Sequence, residues 1–238
     1  MDTTEWTSER QQLALAGLRT HYAHAGPELR FSSPFQLLIA VMLSAQSTDK
    51  QVNRVCDTLF TYIHNARELA DIAPEQLMDM IKGVGIYKNK AQNLQKMAQM
   101  LLEFHNGEVP STLDELEKLP GVGHKTACVV VSIAFDTPAI AVDTHVFRVS
   151  NRIGLAEAKN VTQTEKQLME IIPKHEWSSA HHWLIHHGRY CCTARSPRCS
   201  TCPQLIHDNC RAQVQHELGL DEAKPSSRGG DEDENNLG

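Results

Sequence analysis

The sequence lacks any apolar run long enough to cross a membrane. Its longest mostly apolar stretches, Leu37–Ala45 and Ala127–Phe135, span about nine residues, whereas a transmembrane helix needs about 20. The first residues, MDTTEWTSERQQ, also lack the apolar core of a signal peptide. We therefore expect no secretion and no membrane partner. The expected location is cytoplasmic, and nucleoid-associated if the source is bacterial.

An excess of positive charge is also missing, which by itself argues weakly against nucleic acid as a partner. The net charge is −6. Residues 216–238 hold seven acidic and two basic residues, which leaves about −1 for residues 1–215. A nearly neutral body can still bind DNA when its basic residues share one face. The last residues are rich in acids, Gly, Ser and Asn, so we predict an acidic disordered tail over 216–238.

Strand-like alternation flanked by hairpin turns is absent, and helix signals follow one another along the chain. Ser33-Pro34-Phe35-Gln36 and Thr48-x-x-Gln51 have the pattern of capping boxes. Further helices are predicted at these places: from Pro74 to near Gly83, about Ile86–His105, from Ser111 to Leu119, about His124–Phe135, and from near Asp143, Thr162 and Ser178. The sequence therefore predicts an all-α fold.

The cysteines lack the pattern of a disulfide framework. Their number is odd, seven, and five of them fall between Cys191 and Cys210. Such clustering in a chain without a signal peptide indicates a metal site. Cys192-x6-Cys199-x2-Cys202-x7-Cys210 can supply four thiolates to one centre. The spacing alone leaves zinc and a four-iron four-sulfur cluster open. Cys56 and Cys128 lie in apolar stretches and are interpreted as core residues.

The first motif with chemical meaning is Leu-Pro-Gly-Val-Gly-His-Lys-Thr-Ala, residues 119–127. Gly121 and Gly123 allow a tight turn and a close approach to the backbone. The unpaired N–H groups of the helix that follows suit a DNA phosphate. A plain helix-to-helix turn is the alternative for a bare Gly-x-Gly. Asp143, in Ala-Val-Asp-Thr-His, would as an isolated motif be a helix N-cap.

Together these strings resemble the helix-hairpin-helix glycosylases of the endonuclease III family. The resemblance spans roughly residues 5–215. It implies that Lys125 is the nucleophile, with phosphate binding as its alternative role, and that Asp143 is the catalytic carboxylate. An attacking amine must be neutral, and we expect burial and the helix N-terminus to disfavour its ammonium form. Asp143 would stabilise positive charge or accept a proton.

The resemblance also implies how DNA is held and opened. Leu43-Ser-Ala-Gln-Ser-Thr-Asp places Gln46 where the family fills the gap left by the extruded base, and Gly85-Ile-Tyr-Lys-Asn-Lys-Ala places Ile86 as an apolar wedge. Without the resemblance, Gln46 would be a polar residue at a helix end and Ile86 a core side chain. The complete set of implied DNA contacts is Gln46, Ile86, Gly121, Val122, Gly123, His145, Arg195 and Arg198.

For the cysteines, the family pattern implies a 4Fe-4S cluster held by Cys192, Cys199, Cys202 and Cys210, with Cys191 as the spare thiol. The last spacing is two residues longer than the family pattern. The loop between Cys192 and Cys199 carries Arg195 and Arg198 and no acid, so we expect it to contact phosphate. The alternative is two solvent-facing arginines. His182 and His186 have the spacing of a zinc helix but no Glu between them, which favours packing over metal binding.

The implied architecture is a six-helix barrel over 27–137 and a cluster domain formed by 1–26 and 138–215. The implied function is removal of oxidised pyrimidines from double-stranded DNA, followed by β-elimination at the abasic site, by a monomer. Two rivals stay open. One is a monofunctional mismatch glycosylase on the same fold, against which Lys125 argues. The other is a non-catalytic DNA-binding module that uses only the hairpin.

Overall fold

The computed structural model describes residues 7–217, which contain helices and no strand. The all-α prediction is therefore confirmed. The helices are α1 Ser8–His21, α2 Pro34–Ser44, α3 Asp49–Leu59, α4 Ala66–Asp71, α5 Pro74–Ile81, α6 Tyr87–Phe104, α7 Leu113–Leu116, α8 His124–Ala134, α9 Thr144–Ile153, α10 Val161–Ile171, α11 Trp177–Tyr190, α12 Gln204–His207 and α13 Arg211–Glu217, with short 3₁₀ turns at Lys174–Glu176 and Cys199–Thr201. None of these helices combines the length and apolarity needed to cross a membrane.

The acidic tail was predicted to begin at residue 216, but residues 216 and 217 are the last two of α13. Residues 218–238 lie outside the described part of the chain.

Two helix starts show how the sequence sets local structure. Thr48 and Gln51 form a complete capping box at α3. At α2 the Ser33 side chain accepts the Gln36 N–H, but Gln36 Oε1 accepts the N–H of Ser32 at 2.9 Å rather than that of Ser33. The capping-box prediction at Ser33 is therefore only half right, because the returning side chain reaches one residue further back.

The short helix before the hairpin also differs from its prediction. Its N-cap is Thr112, whose hydroxyl accepts the Glu115 N–H at 3.4 Å, and α7 ends at Leu116 instead of reaching Leu119. Pro120 disfavours helical backbone at the residue before it. The chain therefore leaves the helix through a turn in which the Leu119 N–H donates to Leu116 O at 3.0 Å.

The apolar side chains form two main cores. One is built from α2 to α8, and its fully buried members include Leu38, Leu59, Leu94 and Leu101. The other joins Leu15 and Leu18 of α1 to side chains from α9, α10, α11 and α12. A smaller cluster between them contains Leu37 and Val41 of α2, Cys128 and Val129 of α8, and Ala141. The division into a barrel over 27–137 and a cluster domain formed by 1–26 and 138–215 stays a prediction.

Candidate active site and nucleic-acid interface

The two glycines of the hairpin between α7 and α8 differ in the space around them. Gly121 has φ +79, and a Cβ there would lie 2.8 Å from Asn93 Cβ on α6, so only glycine fits. A Cβ on Gly123 would meet nothing within 4 Å. Gly123 is the N-cap of α8 and offers no side-chain acceptor to its first turn. The first amides of α8 therefore face open space, where an anion can approach.

Val122 contributes to this hairpin differently from its glycine neighbours. Its side chain is buried in the α2–α8 core, and its N–H donates to Leu119 O at 3.0 Å. Any DNA contact at the turn is therefore expected from the backbone around Gly121 and Gly123 and from the start of α8.

Lys125 and Asp143 meet across a cleft between the two cores. Lys125 lies in the first turn of α8, and Asp143 is the N-cap of α9. Lys125 Nζ lies 3.8 Å from Asp143 Oδ2. Both side chains line one cavity with Leu37, Val129 and His181. An amine and a carboxylate thus face the same cleft, and an amine placed beside a carboxylate can act as a nucleophile.

Asp143 is held in place by the helix that it caps. Its Oδ1 accepts the N–H groups of His145 and Val146, each at 2.8 Å, and Oδ2 lies 3.6 Å from His145 Nδ1. Burial alone would raise the pKa of Asp143. The hydrogen bond from His145, the charge of Lys125 and the Val146 N–H outweigh that burial and hold the pKa well below its usual range. The carboxylate is therefore ionised near neutral pH, with its rotamer fixed by the cap.

The expected burial of Lys125 is wrong for this structure. Its side chain is 48% exposed, because it begins on the first turn of α8 and extends into the open part of the cleft.

Gln46 and Ile86 lie on adjoining loops at the end of the α2–α8 core. Both residues are exposed, and both have left-handed backbones, with φ 54 and φ 47. A Cβ on Gly85 would lie 2.7 Å from Gln46 O, so the two loops touch. Left-handed backbone is costly for a β-branched residue such as Ile86. An exposed apolar side chain on strained backbone fits a wedge better than the core role that composition alone suggested.

A buried lysine holds the Gln46 loop, and sequence reasoning missed it. Lys90 on α6 is 5% exposed. Its Nζ donates to Leu43 O at 2.8 Å, to Ala45 O at 2.5 Å and to Ser47 Oγ at 3.2 Å. Ser47 Oγ in turn accepts the Gly85 N–H at 3.0 Å, which ties the Gln46 loop to the Ile86 loop. The signal was the Lys within Gly-x-Tyr-x-x-Lys-Ala, which lies in the first turns of the helix α6.

The clustered cysteines surround one small cavity beside the second core. Its lining includes all the predicted ligands, Cys192, Cys199, Cys202 and Cys210, together with Cys191 and His187. Thiolates suit both zinc and iron–sulfur clusters, so the donor set fits a metal centre here. The longer spacing before Cys210 contains the short helix α12, and Cys210 still lines the cavity. The structure thus brings together every cysteine of the predicted set.

Cys191, which the family pattern leaves outside the ligand set, lies close to other candidate metal ligands in the structure. One candidate metal-binding group is His187, Cys191 and Cys202, whose ligand atoms lie within 4.8 Å of one another. Cys192 is 9% exposed, packs in the second core, and has its Sγ 3.7 Å from an Arg152 nitrogen. The choice between Cys191 and Cys192 therefore stays a prediction.

The loop after Cys192 exposes its own two arginines to solvent. Two arginines of α9 hold this loop in place. Arg195 and Arg198 are both exposed. Arg148 donates to Cys192 O, and Arg152 donates to Thr193 O and Ala194 O at 2.6 and 2.8 Å. The anchoring arginines come from α9, the helix that Asp143 caps. The loop is therefore fixed relative to the cleft, with Arg195 and Arg198 available to a phosphate.

The histidine run on α11 forms a wall of the cleft. His181 is fully buried and pairs through Nδ1 with Ala141 O at 2.7 Å, and burial lowers its pKa to about 3. Burial, followed by the nearby His186 and Arg189 charges, lowers the pKa of His182 to about 4. His186 Nε2 lies 3.2 Å from Gly26 O. The contacts of His181 and His186 are packing contacts with backbone carbonyls, and a role of the run in packing between the domains stays a prediction.

An ion-pair network at the cleft was also missed. Arg189 of α11 pairs with Glu28 and, at 2.7 Å, with Asp49 at the start of α3. Tyr190 Oη donates to Glu28 at 2.7 Å. These contacts join the two cores. No sequence motif predicts them, because the partners are distant along the chain.

Comparison with known proteins matches this geometry to a family. The model of the HhH-GPD superfamily base excision DNA repair protein matches residues 39–174. Endonuclease III of Bacillus subtilis (strain 168) is 54% identical over 185 residues, which are 77% of this chain and 84% of that protein. Endonuclease III of Escherichia coli (strain K12) is 49% identical over 196 residues, 82% of this chain and 92% of the relative.

Solved structures give the same result. A trapped endonuclease III–DNA covalent intermediate matches with a TM-score of 0.84 at 46% identity, covering 90% of this chain and 100% of that one. A thermostable thymine-DNA glycosylase matches with a TM-score of 0.77 at 22% identity, covering 89% and 100%, which shows a shared fold alone.

The helical fold of the described residues and the family model that matches residues 39–174 place the chain in the HhH-GPD superfamily of base excision DNA repair proteins. Within that superfamily, the chain belongs to the endonuclease III family. It is therefore an enzyme of the DNA glycosylase and abasic-site lyase class.

Proposed function

We propose that this enzyme removes oxidised pyrimidines from double-stranded DNA and then cleaves the strand 3′ to the abasic site by β-elimination. The observation that carries the proposal is the 3.8 Å approach of Lys125 Nζ to Asp143 Oδ2 in one cleft. A similar protein, endonuclease III, has been trapped as a covalent intermediate with DNA, which supports a covalent route here.

Lys125 is the proposed nucleophile. Its neutral amine attacks the anomeric carbon of the sugar, and the damaged base departs with the electron pair of the glycosidic bond. Ring opening gives a protonated Schiff base between Lys125 and the sugar. Loss of the proton at C2′ then expels the 3′ phosphate oxygen, and water releases the lysine.

Asp143 acts mainly through its charge in this proposal. A carboxylate whose pKa lies well below the usual range is a weak base, but it is ionised whenever substrate binds. It therefore stabilises the positive charge that develops on the sugar as the base departs. The Asp143 cap keeps the carboxylate in position without reorganisation during the reaction.

The proposed DNA contacts surround this pair. Gly121, Gly123 and the first amides of α8 bind phosphate, and His145, next to Asp143, contacts the strand near the cleft. Arg195 and Arg198 bind phosphate further along. Gln46 and Ile86 enter the stack once the base has been flipped, which offsets part of the few kcal/mol that flipping costs.

For the cysteine-lined cavity we propose a 4Fe-4S cluster held by Cys192, Cys199, Cys202 and Cys210, with zinc as the alternative. When bound, the cluster supplies a cross-link that fixes the loop carrying Arg195 and Arg198. The chain's own residues perform the chemistry in the cleft. The visible absorption spectrum of anaerobically purified protein distinguishes the iron–sulfur cluster from zinc.

Borohydride trapping tests the proposal. Wild-type protein mixed with a thymine glycol duplex and borohydride should give a covalent protein–DNA adduct. Lys125→Ala should lose that adduct while still binding lesion DNA, and the exposed Lys118→Ala should keep it. A Lys125→Ala protein that still traps would show that another amine is the nucleophile. Base release without strand incision by wild-type protein would favour the monofunctional mismatch glycosylase.

A further inference from the structure

A second group of metal-ligand side chains lies behind the hairpin, away from the clustered cysteines. His124 and Cys128 are one turn apart on α8, and Glu165 comes from α10 in the other core. His124 Nε2 lies 2.9 and 3.0 Å from the two carboxylate oxygens of Glu165 and 3.5 Å from Cys128 Sγ. The ligand atoms of all three residues lie within 4.8 Å of one another.

These separations are close to those of a tetrahedral zinc site. With Zn–S near 2.3 Å and Zn–N or Zn–O near 2.0–2.2 Å, ligand atoms on a tetrahedron lie roughly 3.3–3.6 Å apart. The distances from the imidazole to the thiol and to the carboxylate therefore need changes of only a few tenths of an ångström. One imidazole, one thiolate and one carboxylate are ligand types that zinc accepts, and water can take a fourth position.

The other nitrogen of His124 has the partner that such a site needs. Its Nδ1 lies 2.5 Å from Glu117 Oε1, at the end of α7. A carboxylate that accepts the Nδ1 proton fixes the ring orientation and leaves the Nε2 lone pair for a metal. The His124 ring is also half exposed, so an ion can reach Nε2 from solvent while Cys128, 2% exposed, closes the inner side.

We propose that His124 Nε2, Cys128 Sγ and the Glu165 carboxylate bind one divalent transition-metal ion, with Zn²⁺ as the fitting ion and Glu117 as the outer partner of the histidine. The ion would link the hairpin helix α8 to α10 across the two cores. The two positive charges of the ion would be balanced by the Cys128 thiolate and the Glu165 carboxylate, and Glu117 would keep its charge beside the predicted phosphate-binding turn.

The competing interpretation is an imidazolium held between two carboxylates, with the thiol as a bystander. The hydrogen bonds that the His124 ring donates to Glu165 and to Glu117 raise the pKa of His124, and burial, followed by the charges of these two acids, raises the pKa of Cys128 to about 12. Metal binding must therefore release the thiol proton and, below the histidine pKa, the imidazole proton. Apparent affinity should rise between about 10-fold and 100-fold per pH unit.

Zinc stoichiometry of the holoprotein separates the two interpretations. Cluster-loaded wild-type protein, dialysed against Zn²⁺, should retain one zinc per chain in addition to the metal of the cysteine-lined cavity. Cys128→Ala should lose that zinc at unchanged iron content, and Glu165→Gln should weaken its binding at least about 10-fold. Cys56→Ala, which removes another buried free cysteine, is the matched control and should keep the zinc.

X-ray absorption of the added zinc identifies its ligands. One sulfur together with nitrogen and oxygen ligands supports the proposal. An all-sulfur shell would place the zinc among the clustered cysteines and overturn the proposal. Absence of additional zinc, or its retention in Cys128→Ala, would do the same. Should Cys128→Ala fail to fold, His124→Ala at the half-exposed position provides the same comparison, and zinc that survives it equally refutes the site.

Discussion

Lys125 Nζ and Asp143 Oδ2 lie 3.8 Å apart although one belongs to the hairpin helix α8 and the other caps α9. Asp143 has two tasks at this place, because one oxygen holds the start of a helix and the other faces the amine. Cap and charge can be separated experimentally, since asparagine retains an acceptor oxygen but carries no charge.

Asp143→Asn should therefore keep the fold and lose most of the activity. We expect turnover on a thymine glycol duplex to fall by about 10²–10⁴-fold, with a smaller loss of stability than alanine causes, because asparagine keeps the cap and loses only the charge interactions that lower the Asp143 pKa. Asp143→Ala should lose a similar part of the activity and also about 1 kcal/mol of stability, because the N–H groups of His145 and Val146 lose their acceptor. Single-turnover kinetics and urea unfolding measure the two effects. Equal destabilisation by both substitutions would contradict the division of tasks.

The two hairpin glycines should respond differently to alanine. Gly121→Ala places a Cβ 2.8 Å from Asn93 Cβ at φ +79, so we expect it to destabilise the protein by about 1–2 kcal/mol or more. Gly123→Ala meets no neighbour within 4 Å and should leave thermal unfolding nearly unchanged. Its methyl group should instead obstruct phosphate and lower affinity for duplex DNA. Unchanged DNA affinity in folded Gly123→Ala would argue against phosphate binding at this turn.

Lys90→Met should disturb the loop that carries Gln46. The substitution leaves the acceptors Leu43 O, Ala45 O and Ser47 Oγ without their donor, at a cost of about 1–3 kcal/mol for each acceptor that stays buried and unpaired. The left-handed Gln46 should then lose its fixed position. We expect a smaller fluorescence change from 2-aminopurine placed opposite the lesion, which reports base extrusion. Lys96→Met, at an exposed position on the same helix, should behave like wild type.

Cysteine substitutions test the metal ligands. Cys192→Ser should lose the visible absorption and the iron of the purified protein, whereas Cys191→Ser should keep both. The opposite result would assign the ligand to Cys191, whose Sγ lies with the Cys202 Sγ and a ring nitrogen of His187 in one candidate group. Iron content measured on freshly purified, anaerobic protein gives the comparison, and Cys56→Ser serves as the control for loss of a buried thiol.

The buried histidines predict a pH dependence of stability. Burial lowers the pKa of His181 to about 3 and that of His182 to about 4, so the unfolded chain binds more protons as pH falls below its histidine pKa of about 6.5. The contribution of these two histidines to the free energy of unfolding should be fully present above about pH 6.5. It should be lost as the pH falls below that value, by up to about 1.4 kcal/mol per pH unit for each histidine.

His181→Asn, whose side-chain amide can replace the Nδ1 donor to Ala141 O, should flatten this dependence between about pH 6 and pH 4 in urea unfolding. His175→Asn, at a position 80% exposed, should leave it as steep as in wild type. If the free energy of unfolding of His181→Asn falls with pH as steeply as that of the wild type, other groups must bind the protons.

Most of the helices, and the residues with proposed catalytic or metal-binding roles, could be predicted from local sequence. Caps and prolines such as Pro34 and Thr48 act through bonds to their near neighbours, so their effect can be read locally. The hairpin string and the cysteine spacing are also local, which is why Lys125 and the thiol set could be named. Asp143 was visible as a cap, and its catalytic role depended on the resemblance.

The contacts between residues distant in sequence could be seen only in the packed fold. The Lys90 bonds to the Gln46 loop, the Arg189 pairs with Glu28 and Asp49, and the approach of Glu165 to His124 and Cys128 all join elements far apart along the chain. The packed fold also decided that Lys125 is half exposed and that Ile86 lies on strained backbone. Local sequence fixes φ/ψ preferences and periodicity, whereas these contacts depend on how whole helices pack, and no short pattern encodes that packing.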